Sequence, residues 1–222
     1  MKTLKGTVGA LAGVAAVTLS ARASFVDLLV VDITDNTLGL SEYALYGRFD
    51  NPSDMVSGVT DADISSTTPF FHNTINGAGQ SALPFTSAQD ALSEHPDADS
   101  FVTIGLFTGD GNETCIIPQF FDFNGFLSGS ILRSDSSWFN CNPLNGAGVA
   151  GNDLLVLLAV FTPLNELDGS PGVVSGMLKV GYGTPDLPGV QHAEASFITP
   201  APGALGLLAL AGMMGPRRRR RS

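Results

Sequence analysis

The stretch that decides the fold lies at residues 42–49 and reads EYALYGRF. Tyr43, Leu45 and Phe49 fall on one side of an extended chain, while both charged residues of the stretch fall on the other. This alternation with a period of two predicts a β-strand with one buried face. Five further stretches rich in apolar or strand-forming residues are separated by turn-forming Asn, Gly, Asp and Pro. These stretches are residues 25–33, 101–107, 154–161, 173–182 and 190–198.

Strands of this number and spacing predict an all-β domain, an antiparallel β-sandwich with jelly-roll-like connections. The domain is expected to span residues 24–198, with short terminal targeting helices outside the fold. Residues 154–161 are apolar throughout, so periodicity alone leaves both a strand buried on two faces and a buried helix open. One short helix is expected at residues 87–95, with Ser87 as its N-cap.

The charge distribution excludes one class of partner. The chain has 222 residues, of which 44% are hydrophobic and 14% charged, so it is too apolar for a disordered protein. Between residues 24 and 202, three basic side chains stand against all 21 acidic ones, a formal charge of −18. A nucleic-acid-binding surface needs clusters of Lys and Arg, so we expect no nucleic acid among the partners. Anionic polysaccharides are expected to bind only through a bridging divalent cation.

Residues 1–23 have the pattern of a secretory signal peptide. Two lysines precede a short apolar region at residues 8–19, and the small residues Ala21 and Ala23 then mark a cleavage site. We expect signal peptidase to cut after Ala23, so that the mature chain begins at Ser24. The alternative is a buried N-terminal helix of the fold, which the glycines of this segment disfavour.

Residues 199–222 combine a short motif, an apolar segment and a basic end. Pro200-Ala201-Pro202 comes first, thirteen apolar or small residues follow, and five consecutive arginines stand at residues 217–221. The apolar segment is shorter than an ordinary membrane-spanning helix. The arginines would stay on the cytoplasmic side of a translocating chain and so hold the segment in the membrane. We therefore expect this segment to insert in the membrane before processing, and a plain, unprocessed membrane tail is the alternative.

This arrangement resembles the PEP-CTERM sorting signal, which is recognised by the transpeptidase-like exosortases of the membrane. Pro200-Ala201-Pro202 takes the place of the Pro-Glu-Pro motif, with Ala201 where the type motif has Glu. The resemblance implies an exported protein of a Gram-negative-type bacterium, retained at the cell surface or released into an exopolysaccharide matrix. Signal peptidase and an exosortase are then its partners during export, and exopolysaccharide is a possible partner afterwards. No activity follows, because one signal can be attached to unrelated domains.

Cys115 and Cys141 are the only cysteines. In an exported protein an even pair is expected to oxidise, so we predict a disulfide between them. Two buried free thiols are the alternative. A zinc site is disfavoured, because no histidine or second cysteine pair stands at ligand spacing.

Acidic turns at residues 61–63, 97–99 and 110–113 supply the oxygen ligands that Ca²⁺ prefers. None has the spacing of an EF-hand loop, and short acidic turns are often merely solvated. A structural Ca²⁺ therefore stays open as an alternative. We expect no catalytic metal and no other cofactor.

The predicted function is that of a non-catalytic surface or extracellular-matrix protein. The chain has three histidines and lacks the G-x-S-x-G motif of α/β-hydrolases. Aromatic residues concentrate at residues 120–139, so a carbohydrate-binding module is the second hypothesis, with Trp138 as its ligand-stacking candidate. The alternative for these aromatics is a place in the core. A glycan-active enzyme that uses two of the carboxylates is the third hypothesis.

Overall fold

The computed structural model describes residues 25–75, 80–185 and 187–200. Within these ranges, nine strands form two antiparallel sheets that pack face to face, so the predicted all-β sandwich is confirmed. The strands are β1 Phe25–Asp32, β2 Tyr43–Phe49, β3 Met55–Ser66, β4 Phe101–Val102, β5 Thr114–Ile116, β6 Ile131–Asn140, β7 Leu155–Phe161, β8 Val174–Thr184 and β9 Leu187–Ile198. The helices are α1 Ser87–Asp90 and α2 Phe123–Ser128, with 3-10 turns at Pro118–Phe120 and Pro143–Asn145.

The connections interleave the two sheets. One sheet has the order β1-β2-β7-β4 and the other has the order β5-β6-β3-β8-β9. The described chain crosses between the sheets five times, and only β1–β2, β5–β6 and β8–β9 are consecutive neighbours in one sheet. Interleaving of this kind brings strands that are distant in sequence together, so most of the core depends on long-range contacts.

The core lies between the sheets and is built from the inward side chains of both. Trp138 and Ile64 from the five-stranded sheet meet Phe49, Leu158 and Phe161 from the four-stranded sheet, and all five are almost completely buried. Burying aromatic and branched apolar side chains supplies the main favourable free energy of folding.

Strand β7 is buried on both faces. Leu158 and Phe161 belong to the main core, while Leu157 and Val160 pack with Ala44 on the opposite face in a smaller cluster. Extended backbone presents successive side chains to opposite faces, so an uninterrupted apolar run becomes a strand when both faces are covered. The strand interpretation of residues 154–161 is therefore confirmed, and the helix alternative is excluded.

Three strands, β3, β5 and β6, lie outside the six predicted stretches. The strand predicted at residues 101–107 is reduced to β4 Phe101–Val102, and the helix predicted at residues 87–95 ends at Asp90. β3 lacks a simple alternation because Asp61, with a φ of +51°, lies at a register shift in both of the ladders that β3 forms. β6 carries many polar residues and has no simple apolar pattern. Helix α1 is capped by Thr86 rather than by Ser87, because the Thr86 hydroxyl accepts from the backbone N–H of Gln89 in a capping box.

Among the described residues, Thr199 is the last that is hydrogen-bonded to the sheet. Its backbone N–H donates to the Val174 carbonyl at 2.8 Å, and its hydroxyl accepts from the Val174 N–H at 2.9 Å. The expected signal peptide and most of the expected sorting signal lie outside the described residues. In the described ranges, the helices are all too short and insufficiently apolar to cross a membrane.

Candidate functional site

The predicted disulfide is confirmed. Cys115 lies in β5 and Cys141 directly follows β6, and their Sγ atoms are bonded with the Cα atoms 5.8 Å apart. Strands β5 and β6 pair antiparallel, so the bond reinforces the end of a short ladder in which Cys115 stands opposite Phe139. Both cysteines therefore have a structural role.

Trp138 does not fit the role of a sugar-stacking residue. Its side chain is 0% exposed and lies in the main core, where the indole N–H donates to the Thr103 carbonyl at 3.0 Å. An aromatic ring stacks on a ligand only through an exposed face, so the Trp138 prediction is wrong. The reason is the direction of the side chain, since Trp138 points inward from β6.

The other aromatics between the cysteines divide between core and surface. Phe121 and Phe126 are buried, as their apolar character favours, whereas Phe120, at the end of the first 3-10 turn, is 51% exposed. Phe139 is half-buried and follows Trp138 on β6, so it points to the outer face of the five-stranded sheet. Phe139 is thus the aromatic of this stretch that lies on a sheet surface.

A row of four residues crosses the outer face of this sheet. The strand registers pair Gly58 of β3 with Phe139 on one side and with Gly181 of β8 on the other, and they pair Gly181 with His192 of β9. Two glycines therefore occupy the centre of the row, with an aromatic ring at one end and an imidazole at the other. Because glycine has no side chain, the centre of the row is a depression.

We call this depression the glycine trough. It has a volume of about 300 Å³. Its walls combine apolar and hydrogen-bonding groups, since Phe139 and Val190 contribute apolar surface and two hydroxyls and an imidazole contribute polar atoms. Its lining residues are Ser57, Gly58, Thr60, Phe139, Gly181, Val190 and His192.

Close packing determines the shape of the trough. A Cβ atom at Gly58 would lie 2.6 Å from Cδ1 of Phe139, so the ring can rest against this backbone only because residue 58 is glycine. At Gly181 a Cβ would lie 3.3 Å from Oγ of Ser57 and 3.4 Å from Cγ1 of Val190. A methyl group at residue 181 would therefore fit with small adjustments and would occupy the floor of the trough.

The charges beside the trough are mutually compensated. Lys179 lies two residues before Gly181 on β8, and its Nζ donates to Oδ2 of Asp61 at 3.0 Å. Glu194 stands opposite Lys179 in the register of β8 and β9. The other two basic side chains of the described body, Arg48 and Arg133, also pair with aspartates. The outer face thus offers no uncompensated cation among the described residues.

A second pocket, which we call the acidic pocket, lies beside the four-stranded sheet. It has a volume of about 170 Å³ and combines carboxylates with the rings of Phe85, Phe101 and Phe107. Its carboxylates are Glu42, Asp90, Asp97 and Asp99. Glu42 precedes β2, and the two later aspartates precede β4. Both strands pair antiparallel with β7, which lies between them, so their starts lie at the same edge of the sheet.

Burial shifts the protonation of this pocket. Burial raises the pKa of Glu42 to about 7, against a hydrogen bond from Asn36 that lowers it, and the charge of Asp97 adds to the rise. Burial also raises the pKa of Asp99 well above its usual range, although the backbone N–H groups of Asn73 and Ser100 oppose the rise. Hydrogen bonds from Thr37 lower the pKa of Asp97 instead. Carboxyls with separated pKa values are typical of acid–base sites as well as of structural clusters.

His72 lies behind the acidic pocket and is buried. Its Nε2 faces the Phe126 carbonyl oxygen at 2.8 Å, and its Nδ1 lies 3.7 Å from Oδ1 of Asp99, beyond hydrogen-bond distance. Burial lowers the pKa of His72, which favours the neutral ring, and a proton on Nε2 fits its contact with the carbonyl oxygen. The pair lacks the hydrogen bond by which an acidic group orients a catalytic base. His72 is therefore explained as a core histidine.

The acidic turns use their carboxylates within the protein. Asp110 accepts from the backbone N–H of Ser87 at 2.9 Å, and Asp97 accepts from that of Thr37 at 2.7 Å. Asp61 pairs with Lys179. In the part of the chain that the structure describes, no three His, Cys, Asp or Glu side chains are grouped so as to hold a metal ion.

The residues predicted for processing fall at the margins of the described structure. Pro200 is described and follows Thr199, which is 2% exposed. The remaining processing residues lie outside the described ranges; they are Ala21, Ala23, Ser24, Ala201 and Pro202.

The sequence did not reveal the glycine trough, because its members come from four strands and two of them are glycines. The sequence offered one indication of the trough, the aromatic pair Trp138 and Phe139. Only the strand register shows which of the two rings faces the core and which lies on the outer face of the sheet. No family model, curated protein or solved structure matches the chain. The chemistry of both pockets therefore rests on their own geometry.

Proposed function

We propose that this chain is an exported, non-catalytic protein of the cell surface or the exopolysaccharide matrix, sorted by an exosortase-type system. The observation that carries the proposal is the position of the Pro200-Ala201-Pro202 motif in the chain. Among the described residues, hydrogen bonding to the sheet ends at Thr199, and the motif begins at the next residue. A processing enzyme needs an extended, accessible substrate segment, so a motif directly after the end of the folded domain at Thr199, as far as the structure describes it, suits cleavage or transfer.

Two further features support export. The Cys115–Cys141 bond is typical of proteins that fold outside the reducing cytoplasm. The formal charge of −18 between residues 24 and 202 favours solubility through self-repulsion in a crowded matrix. The cell surface or matrix is a compartment in which both features are useful.

Mass spectrometry of the native protein tests this proposal. Intact-mass and terminal-peptide spectra would be recorded without reduction on protein recovered from the cell surface and from the medium. We expect a form that starts at Ser24, ends within residues 200–203 and is two hydrogens lighter than the reduced chain. Recovery of a chain that keeps residues 217–221 contradicts sorting, and recovery of residues 1–23 contradicts signal cleavage.

A double variant and a matched control test whether the enzyme recognises the motif itself or whether the loss of any proline impairs processing. Replacing Pro200 and Pro202 by alanine should leave the unprocessed chain in the membrane fraction, because the motif is lost. The control is Pro188→Ala at the exposed start of β9, which should be processed normally. Equal processing of both variants would show that the motif is not what the enzyme recognises.

Carbohydrate binding is the second candidate function, and the glycine trough is the observation that favours it. The trough combines the ring of Phe139 with hydroxyl groups on one sheet surface, as sugar recognition requires. The acidic pocket is the corresponding observation for the third hypothesis, a glycan-active enzyme. Turnover of a glycan that binds the protein, lost on Glu42→Gln and Asp99→Asn, would establish that third function.

A further inference from the structure

The glycine trough has the size of a site for one small ring. Its volume of about 300 Å³ lies at the lower end of the ~300–1,000 Å³ range of small-molecule sites. The floor is backbone at Gly181, so a flat ligand can approach the sheet more closely than it could over any side chain. A compact, flat ligand fits this shape better than a branched or extended one.

The walls have a mixed chemistry that matches a pyranose. A pyranose ring has faces of C–H groups and a rim of hydroxyls. Phe139 offers a π-face, which is electronegative and attracts polarised C–H groups, and Val190 adds apolar contact. Ser57 donates to the Gly181 carbonyl at 3.0 Å and keeps acceptor capacity on its hydroxyl oxygen. Thr60 and His192 supply further hydrogen-bonding atoms on the trough lining.

The aromatic wall is held in position before any ligand arrives. The ring of Phe139 packs against Gly58, where a Cβ would approach Cδ1 to 2.6 Å. The backbone on both sides is bound in the ladder between β3 and β6. A ligand that stacks on this ring therefore loses little free energy to ordering the protein, which is the benefit of preorganisation.

Charge selects a neutral sugar over an acidic one. Lys179, the cation beside the trough, is paired with Asp61 and faces Glu194 across the strand register. The surrounding body carries a formal charge of −18. A uronate or a sulfated sugar would meet repulsion without a compensating cation, whereas a neutral ring would meet none.

We propose that the glycine trough binds one pyranose ring of a neutral polysaccharide, with the ring stacked on Phe139 above Gly181 and its hydroxyls bonded by Ser57, Thr60 and His192. This inference rests on the carbohydrate-binding candidate and does not depend on how the chain is exported. It places the ligand on the outer face of the five-stranded sheet, opposite the core face that Trp138 occupies.

Isothermal titration of the purified full chain tests the proposal. The probes are two neutral glycans, a β-glucan hexasaccharide and a mannan oligosaccharide, and one anionic glycan, an oligogalacturonate without calcium. We expect binding to at least one neutral probe and none to the oligogalacturonate. Binding of the oligogalacturonate alone, or of no probe at all, overturns the proposal.

Matched variants locate the site. Phe139→Leu removes the π-face but keeps an apolar side chain over Gly58, and we expect binding to weaken about five- to tenfold. Gly181→Ala raises the floor, and we expect a loss of tenfold or more. The controls are Gly183→Ala, where an added Cβ has open space, and Phe120→Leu, which is exposed outside the trough. Both controls should bind as the unchanged protein does.

The outcomes separate the site from the function. Neutral-glycan binding that survives in both trough variants overturns the trough and leaves carbohydrate binding standing. Far-UV circular dichroism and the fluorescence of buried Trp138 check that each variant is folded.

Sedimentation velocity tests whether the trough instead joins two copies of this chain. If it does, Phe139→Leu should change the sedimentation coefficient. Such a change, without a loss of glycan binding, overturns the proposal.

Discussion

Trp138 and Phe139 are adjacent in sequence but have opposite roles. On the face of the five-stranded sheet that packs against the core, Trp138 pairs with Val59, which pairs with Val180. On the opposite, outer face, Phe139 pairs with Gly58, which pairs with Gly181. Because successive side chains of a strand alternate between faces, one position separates a core residue from a surface residue. Composition marks both as aromatic, and only their pairing partners distinguish them.

Glu42 is the residue whose protonation is most informative. Its folded pKa of about 7 exceeds the unfolded value of 4.5, so the folded chain binds more protons between these pH values. Stability should therefore fall as pH rises from about 4.5 to about 7. Glu42→Gln stays neutral and should exceed the unchanged protein in stability by about 1–2 kcal/mol at pH 8, after allowance for solvent screening of a half-buried group.

Urea unfolding at pH 4 and pH 8 measures this difference. At pH 4 the two proteins should be nearly equal, because Glu42 is then protonated in both the folded and the unfolded chain. Asp97→Asn is a control with the opposite pH dependence. Hydrogen bonds lower the pKa of Asp97, so the stability that its carboxylate contributes is lost as pH falls. A Glu42→Gln protein that is less stable at pH 8 would show that the ionised carboxylate is needed in the fold.

At the scale of elements, β5 is the shortest strand of the five-stranded sheet. β5 has three residues and forms the edge, so it contributes few ladder hydrogen bonds. The Cys115–Cys141 bond closes the long connection that contains α2. A covalent link at this position compensates for the short ladder.

Removal of this bond should destabilise the fold. The double variant Cys115→Ala, Cys141→Ala should lose about 3–4 kcal/mol, because the unfolded chain gains the entropy of an open loop. Urea unfolding with and without reductant measures the loss, and reductant should affect only the unchanged protein. A loss below about 1 kcal/mol would mean that strand pairing alone holds β5 in place.

At the scale of the whole molecule, like charge opposes folding. The body between residues 24 and 202 has a formal charge of −18, and its three basic side chains each form one exposed or partly exposed ion pair. Exposed pairs contribute at most about 1 kcal/mol each, so we expect the repulsion among the excess carboxylates to be the larger effect on stability.

Salt should therefore stabilise the protein. Raising NaCl from 10 to 150 mM shortens the Debye length from about 30 Å to about 8 Å and screens the repulsion. We expect the thermal midpoint to rise by several degrees in differential scanning calorimetry. A midpoint that falls with salt would mean that the ion pairs of Arg48, Arg133 and Lys179 outweigh the repulsion.

Much of the fold was predictable because local patterns reflect local environment. The alternation in β2 and the apolar run of β7 predicted strands, and the even cysteine pair predicted a disulfide. β3 and the trough were not predictable, since a bulge at Asp61 disrupts one pattern and the pairing of distant glycines creates the other. The acidic pocket likewise depends on loops that meet only after folding.

The sequence by itself determined the class of the fold and the charge of the body, since burial patterns and composition are properties of short stretches or of the whole chain. Tertiary structure decided which aromatic faces the core, where two glycines open a trough and which carboxylates share a pocket. These features arise from strand register and from contacts between segments distant in sequence, such as Ser57 and Gly181, which are 124 residues apart. No local pattern encodes such contacts, because they depend on which strands become neighbours.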